Sequence, residues 1–302
     1  MRFLAIMLAL IGAAAMAFGA QFQNDAVGQG QSSKGRTKGS LTVKELAGLV
    51  RKPRWLLGTA AIGIALIFQL AALSLAPLIV VQPLGAIALV ITSLLNARVS
   101  KTKLNRATVV AISLCVGGVG GFVAMASTIA AEIRLTDDLL WQVLFILVVI
   151  LGLFGFLLIW KGKHLKAIYF VLGAGVLYGF VATLTKVIIQ RIYQQQFEWV
   201  TVLCAVAMVV AVVLGGWFVQ NAYASGPPDL VIAGLTVVDP LVAVLIAIAI
   251  LGEANSANPL IIIGFLVCAS IAILGVLLLS QFHPQILLAK RKAAMWSRRR
   301  RF

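Results

Sequence analysis

Long apolar runs, separated by short polar or charged clusters, dominate this chain. Nine of them have roughly the 20-residue length that a helix needs to cross a hydrocarbon core. They cover residues 3–20, 54–75, 78–98, 106–127, 138–160, 167–190, 199–221, 229–251 and 258–281. The pattern predicts an all-α integral membrane protein of about nine transmembrane helices. The longest polar stretch between them, 21–53, is rich in Gly, Ser, Gln and Lys, and reads as a flexible loop leading into a short amphipathic segment, "LTVKELAGLV". A last segment, 283–302, ends in "SRRRRF".

Composition agrees with the pattern. With 62% hydrophobic and only 11% charged residues in a 302-residue chain, too little polar surface exists for a soluble domain. Mean hydropathy is +1.06. Cys115, Cys204 and Cys268 all fall inside apolar runs, where a thiol acts as a small packing residue; their spacing suggests no disulfide or metal framework.

Charge orients the spans. "MRFLAIMLALIGAAAMAFGA" also resembles a secretory signal, with a basic start, an apolar centre and small residues at its end. With nine spans, however, one face collects 21 of the 25 Lys and Arg residues, and the other holds only Arg2, Arg134, Lys186 and Arg191. That bias predicts a multi-pass protein of the cell membrane with its N-terminus outside and its C-terminus in the cytoplasm. A cleaved signal would put the 21 charges outside, against the same rule. The net charge of +16 then lies mostly beside the anionic leaflet, where each cation contributes about 1 kcal/mol of attraction. The tail "KRKAAMWSRRRRF" accordingly reads as an anchor on anionic lipid, with Trp296 at the interface, and no nucleic-acid partner is expected.

Two of the runs share a pentapeptide, "VVQPL" at 80–84 and "VVDPL" at 237–241, and the match extends outward to Ala86, Ile91, Leu94 and Ala97 against Ala243, Ile248, Leu251 and Ala254. A Pro-containing elbow precedes each copy (Pro77; Pro227 and Pro228). On the charge-derived topology the two copies run in opposite directions through the membrane. The reading is therefore two inverted repeats: 1–135 holds the first four spans and 163–282 the last four. Residues 136–162 form an unpaired connecting span and 283–302 a basic cytoplasmic tail. Inverted repeats give secondary transporters two alternating openings to one midplane site. Pro83 and Pro240 are the expected helix hinges, since each removes a backbone donor and frees a carbonyl four residues back; simple kinking is the plainer reading of the same prolines.

The stretch "LIFQLAALSLAPLIVVQPLGAIALVITSLLNARVSKTKLN" resembles the core of the drug/metabolite transporter superfamily (EamA-like). It is most similar to the NIPA branch of magnesium transporters, in which an "AP…V.PLGA" segment enters a span that ends in a "KLN" loop. The nine-span count, the amphipathic lead and the four-plus-one-plus-four arrangement resemble that branch too. The resemblance implies a transporter, with magnesium as one substrate to consider.

Asp239 is the one acid deep in a span, where an ionised carboxylate costs about 2.5–3.5 kcal/mol. It is expected to meet a wet cavity, a partner or a proton, or else to bond backbone freed by Pro240. Gln82 is its pseudo-symmetric counterpart. Together with Gln69, Tyr178, Thr183, Thr236 and Asn221 these residues form the expected substrate site, and Asp239 is the single candidate metal ligand. One buried Asp is a poor cage for magnesium, which takes several oxygen ligands, so a small solute that is partly apolar ranks first and a divalent cation second.

Lys186, near a helix end, is expected to snorkel to water. Glu132, Asp137, Asp138 and Glu253 read as solvated acids near the outer face. "GGVGG" at 117–121 lies within a span and reads as close helix packing through Gly117 and Gly121, not as a phosphate cradle. His164 and His283 flank the membrane and no acid cluster exists, so neither an intramembrane enzyme nor a cofactor is expected. A non-transporting scaffold is the remaining alternative, and the sequence leaves room for a homodimer.

Overall fold

The computed structural model describes residues 1–32, 52–99, 105–131, 134–161, 167–196, 198–225 and 228–282. The amphipathic lead, the basic tail, Glu132, His164 and His283 lie outside the described residues. The elements are α1 (Arg2–Ser32), α2 (Pro53–Leu75), α3 (Leu78–Val81), a 3-10 turn (Gln82–Gly85), α4 (Ala86–Val99), α5 (Arg106–Ile129), α6 (Asp137–Lys161), α7 (Ala167–Tyr193), α8 (Trp199–Ser225), α9 (Pro228–Ala249) and α10 (Pro259–Phe282), with no strand among the described residues. Among the described residues, eight stretches are long and apolar enough to cross a membrane. The ninth expected span, in α9, has a shorter apolar stretch, Gly234–Ala249. The chain is an all-α, multi-pass membrane protein.

One expected helix is broken. The run at 78–98 is not continuous: one turn of α-helix, Leu78–Val81, gives way to the 3-10 turn before α4 begins. Pro83 lacks the amide that would continue the α-helical ladder, and its ring crowds the preceding turn. The tighter 3-10 geometry relieves that conflict over a few residues. Its counterpart Pro240 remains inside an uninterrupted α9. Upstream, α2 stops because Pro77 forces Ala76 into an extended conformation (φ −147°, ψ 157°).

Small residues decide how the helices pack. Ala5, Ala9, Ala13 and Ala17 recur every four residues as a buried stripe on α1. Gly19 and Gly58 bring α1 and α2 so close that a Cβ on either would lie 2.8 Å from the other's carbonyl oxygen. Helices α7 and α9 interlock at one-turn steps: Val171 fills the space beside Gly234, Val238 that beside Gly175, and Val242 that beside Gly179. Helix α5 packs on α10 through Gly118, not Gly117. Gly118 faces the Ala272 backbone and Gly121 the Cys268 sulfur, whereas Gly117 faces open space. With four glycines in five positions, sequence spacing alone does not tell which stripe meets the neighbour.

The α5–α10 contact yields a direct prediction. A Cβ at Gly275 would lie 2.4 Å from the Cys115 backbone nitrogen. Gly275→Ala is expected to push the helices apart and lower stability by about 1–3 kcal/mol, read as a lower thermal midpoint in detergent. Gly120→Ala, where nothing lies within 4 Å, is the matched control.

Helix α7 is buried along most of its length. Helix α6 is the opposite: it touches α7 and α8 at the edge of the bundle and exposes Phe145, Val148, Leu153, Phe156 and Ile159. Such faces on α2, α6, α8 and α10 are the surface that lipid covers. Within the first half, α1 packs on α2 and on α4, and α4 on α5; within the second, α7 packs on α8 and on α9, and α9 on α10.

Candidate functional site

A cavity of about 80 Å³ opens between the 3-10 turn, α5, α9 and α10, so both the first and the second half of the sequence line it. Pro83 and Ala86 line it from the first half, beside Val119 and Phe122 of α5. Thr236, Pro240 and Val244 of α9 face them, and Ala269, Ala272 and Val276 of α10 complete the wall. Phe122 and Phe265 meet across the α5–α10 boundary with ring centroids 4.6 Å apart and planes tilted by 30°. The lining is apolar apart from Thr236, whose hydroxyl donates to the Ile232 carbonyl at 2.8 Å. The backbone acceptor that Pro240 leaves without its helical donor is the carbonyl of Thr236 itself, four residues back. An apolar lining of this kind suits an apolar guest.

Asp239 lies beside this cavity without lining it. Its amide faces α7, 3.4 Å from where a Cβ on Gly175 would stand. Its Oδ1 is buried and meets no hydrogen-bond donor among the described residues. Tyr178 of α7 lies within electrostatic reach of the carboxylate and packs its ring over Gly215 of α8. A buried acceptor without a donor is energetically unfavourable by about 1–3 kcal/mol, more when charged, and so has capacity for a proton or a cationic group.

The other expected polar residues do not join one cluster. Gln82 is buried, 8% exposed, in the 3-10 turn next to Pro83. Thr183 donates to Gly179 O at 3.0 Å and Asn221 to Trp217 O at 2.8 Å, each bonding to its own helix four residues back. Gln69 is half-buried on α2. Two groupings emerge: Pro83, Thr236 and Pro240 at the cavity, and Asp239 with Tyr178 behind it. Among the described residues no three His, Cys, Asp or Glu side chains gather around a common point.

The most elaborate polar arrangement lies at one end of the bundle, where the sequence reading expected little. Lys186 does not snorkel: it is 0% exposed, and its Nζ donates to Leu73 O at 2.7 Å and Ala76 O at 2.8 Å, the last carbonyls of α2. Glu253 is not solvated: it is 4% exposed, and its two carboxylate oxygens accept from Leu78 N at 2.9 Å and Ile79 N at 2.8 Å, the first amides of α3. Around Pro77, one helix end offers unpaired carbonyls and the next offers unpaired amides. A cation and an anion from the other half of the chain meet these two needs. Gly252, in the left-handed conformation at φ 66°, turns the chain out of α9 and directs Glu253 to the elbow.

Neighbouring charges at this end are also engaged. Arg2 donates to the carbonyls of Ser127 and Ala130 at the end of α5. Arg191, 2% exposed, pairs with Asp137 and donates to Gln196 Oε1 at 2.9 Å, so Asp137 is an ion-pair partner and not a free surface acid. One signal in the sequence could have found these contacts. A proline elbow inside an apolar region leaves helix ends that water cannot satisfy, and an isolated Lys and Glu assigned to the same membrane face are the natural partners.

No family model matches the chain, and no solved structure matches it. The chain is 25% identical over 216 residues to an uncharacterized protein of Corynebacterium glutamicum, an alignment covering 71% of this chain and 75% of that relative.

Proposed function

We propose that this protein is a secondary transporter of the drug/metabolite transporter type, in which two inverted four-helix halves, joined by α6, rock about their seam to move a small, mostly apolar solute. The observation that carries the proposal is that Pro83 and Pro240, the matching prolines of the repeated pentapeptide, line the same cavity at that seam. The neighbour relations within the two halves support it: α1 relates to α2 and α4 as α7 relates to α8 and α9. The apolar lining favours an organic cargo over a divalent cation of the NIPA type, which takes several oxygen ligands. Because the cavity is small, larger cargo requires the halves to part, as alternating access supplies.

Asp239 is the proposed coupling group, holding a proton or a cationic part of the cargo next to Pro240. The proposed orientation puts the N-terminus outside. Three of the four cations on that face, Arg2, Lys186 and Arg191, are tied to protein groups. The 21 on the opposite face sit beside anionic lipid.

The test is flux in reconstituted vesicles, with candidate solutes first screened by thermal stabilisation of the purified protein against amines, lipid-like intermediates and divalent cations. Wild type is expected to move at least one apolar solute. Asp239→Asn is expected to lose or uncouple that flux while its unfolding free energy stays within about 1 kcal/mol of wild type, since only a charge with an unfilled acceptor is removed. A scaffold would show no solute-dependent flux at all, and full, unchanged flux in Asp239→Asn would remove this residue from the mechanism.

A further inference from the structure

We propose that Lys186, Glu253 and the Ala76–Pro77 elbow form a latch that closes the transport path at the Glu253 end, and that opening this mouth requires its release. The inference rests on the transporter reading above. The latch is a set of bonds between the halves: Lys186 comes from α7 and Glu253 from the α9–α10 link, yet both hold the elbow of the first half. Two more bonds join the halves at the same place. The Ala131 amide donates to Glu253 O at 3.1 Å, and Ser256 Oγ donates to Ile129 O at 3.0 Å.

Behind the latch stands a plug. Leu78, Ile79, Val80 and Val81 are all 0% exposed, so α3 fills the space between the Glu253 carboxylate and the 3-10 turn whose Pro83 lines the cavity. Movement of the elbow is thus passed along four buried residues to the cargo site. The chemistry suits a releasable contact. Charged groups bonded to backbone make strong, directional bonds in a dry seam, but water entering a parting mouth can hydrate the ammonium and carboxylate directly. An apolar seal would have no such compensation.

The test uses the full chain with Cys115, Cys204 and Cys268 replaced by Ala, and a reporter cysteine at the cavity, Thr236→Cys. A membrane-impermeant maleimide is added to each side of sealed vesicles in turn; labelling of Ser256→Cys, an exposed position, identifies the Glu253 side. With the latch intact, Thr236→Cys is expected to label slowly from that side, and Glu253→Gln or Lys186→Met to raise the rate at least about tenfold by populating the open mouth. Equal rates in folded variants would overturn the proposal.

A second measurement keeps the latch in place. Ile129→Cys with Ser256→Cys, oxidised to a disulfide, locks the mouth and is expected to stop flux reversibly, with recovery on reduction. Undiminished flux in the cross-linked protein would equally overturn the latch. Absence of flux in wild type would count against the transporter reading, while the labelling rates alone would still decide whether this mouth opens when its charges are removed.

Discussion

Lys186→Met is expected to lower the stability of the folded protein by about 3–5 kcal/mol, measured as unfolding free energy in mixed micelles. The side chain keeps its length and apolar stem, so the loss is the ammonium. Without it, the carbonyls of Leu73 and Ala76 lose a donor in a place that water does not reach, and each orphaned group contributes about 1–3 kcal/mol. Glu253 remains as a buried carboxylate without the nearby cation that shares its elbow. Adding Glu253→Gln removes that residual charge. The double variant is therefore expected to lose less than the sum of the singles by about 1 kcal/mol or more. Strict additivity would mean that the two charges act on the elbow independently.

Filling the seam cavity should separate stability from activity. Ala269→Leu extends a larger apolar side chain into the space beside Pro83 and Pro240. Cavity filling commonly adds about 0.5–2 kcal/mol to stability, so the thermal midpoint should rise. Flux of the cargo should fall by about tenfold or more, equivalent to about 1.4 kcal/mol in the barrier. The combination matters. A destabilising variant can lose activity through misfolding, but one that becomes more stable and less active has lost room for cargo. Normal flux in a stabilised Ala269→Leu protein would place the path elsewhere.

The features that repeat over many residues were legible in the sequence. Long apolar runs gave the helical membrane architecture, because backbone groups in lipid must bond within their own segment. The paired prolines marked the two segments that share the cavity, since a missing amide is a property of the residue itself. Side-chain direction was not legible: Asp239 and Pro240 are adjacent, yet one lines the cavity and the other lies behind it, a distinction of about a quarter turn of helix. Gly118 in place of Gly117 is the same ambiguity on α5. The elbow clamp was missed for another reason. Lys186 and Glu253 lie far in sequence from the residues they hold, and their partners are backbone atoms, which only the Pro77 elbow marks in the sequence.

The proline of one pentapeptide shortens its helix into a 3-10 turn, while its counterpart is absorbed into an unbroken rod. A pair of pseudo-equivalent helices with such unequal stiffness cannot exchange places symmetrically on the proposed pairing. If the halves rock as proposed, bending is expected to concentrate at the 3-10 turn Gln82–Gly85, with the uninterrupted α9 moving as a lever. Gly85 has open space where a side chain would begin, so a spin label there can follow the flexing joint, and the backbone amides of that turn should exchange with deuterium sooner than those around Asp239.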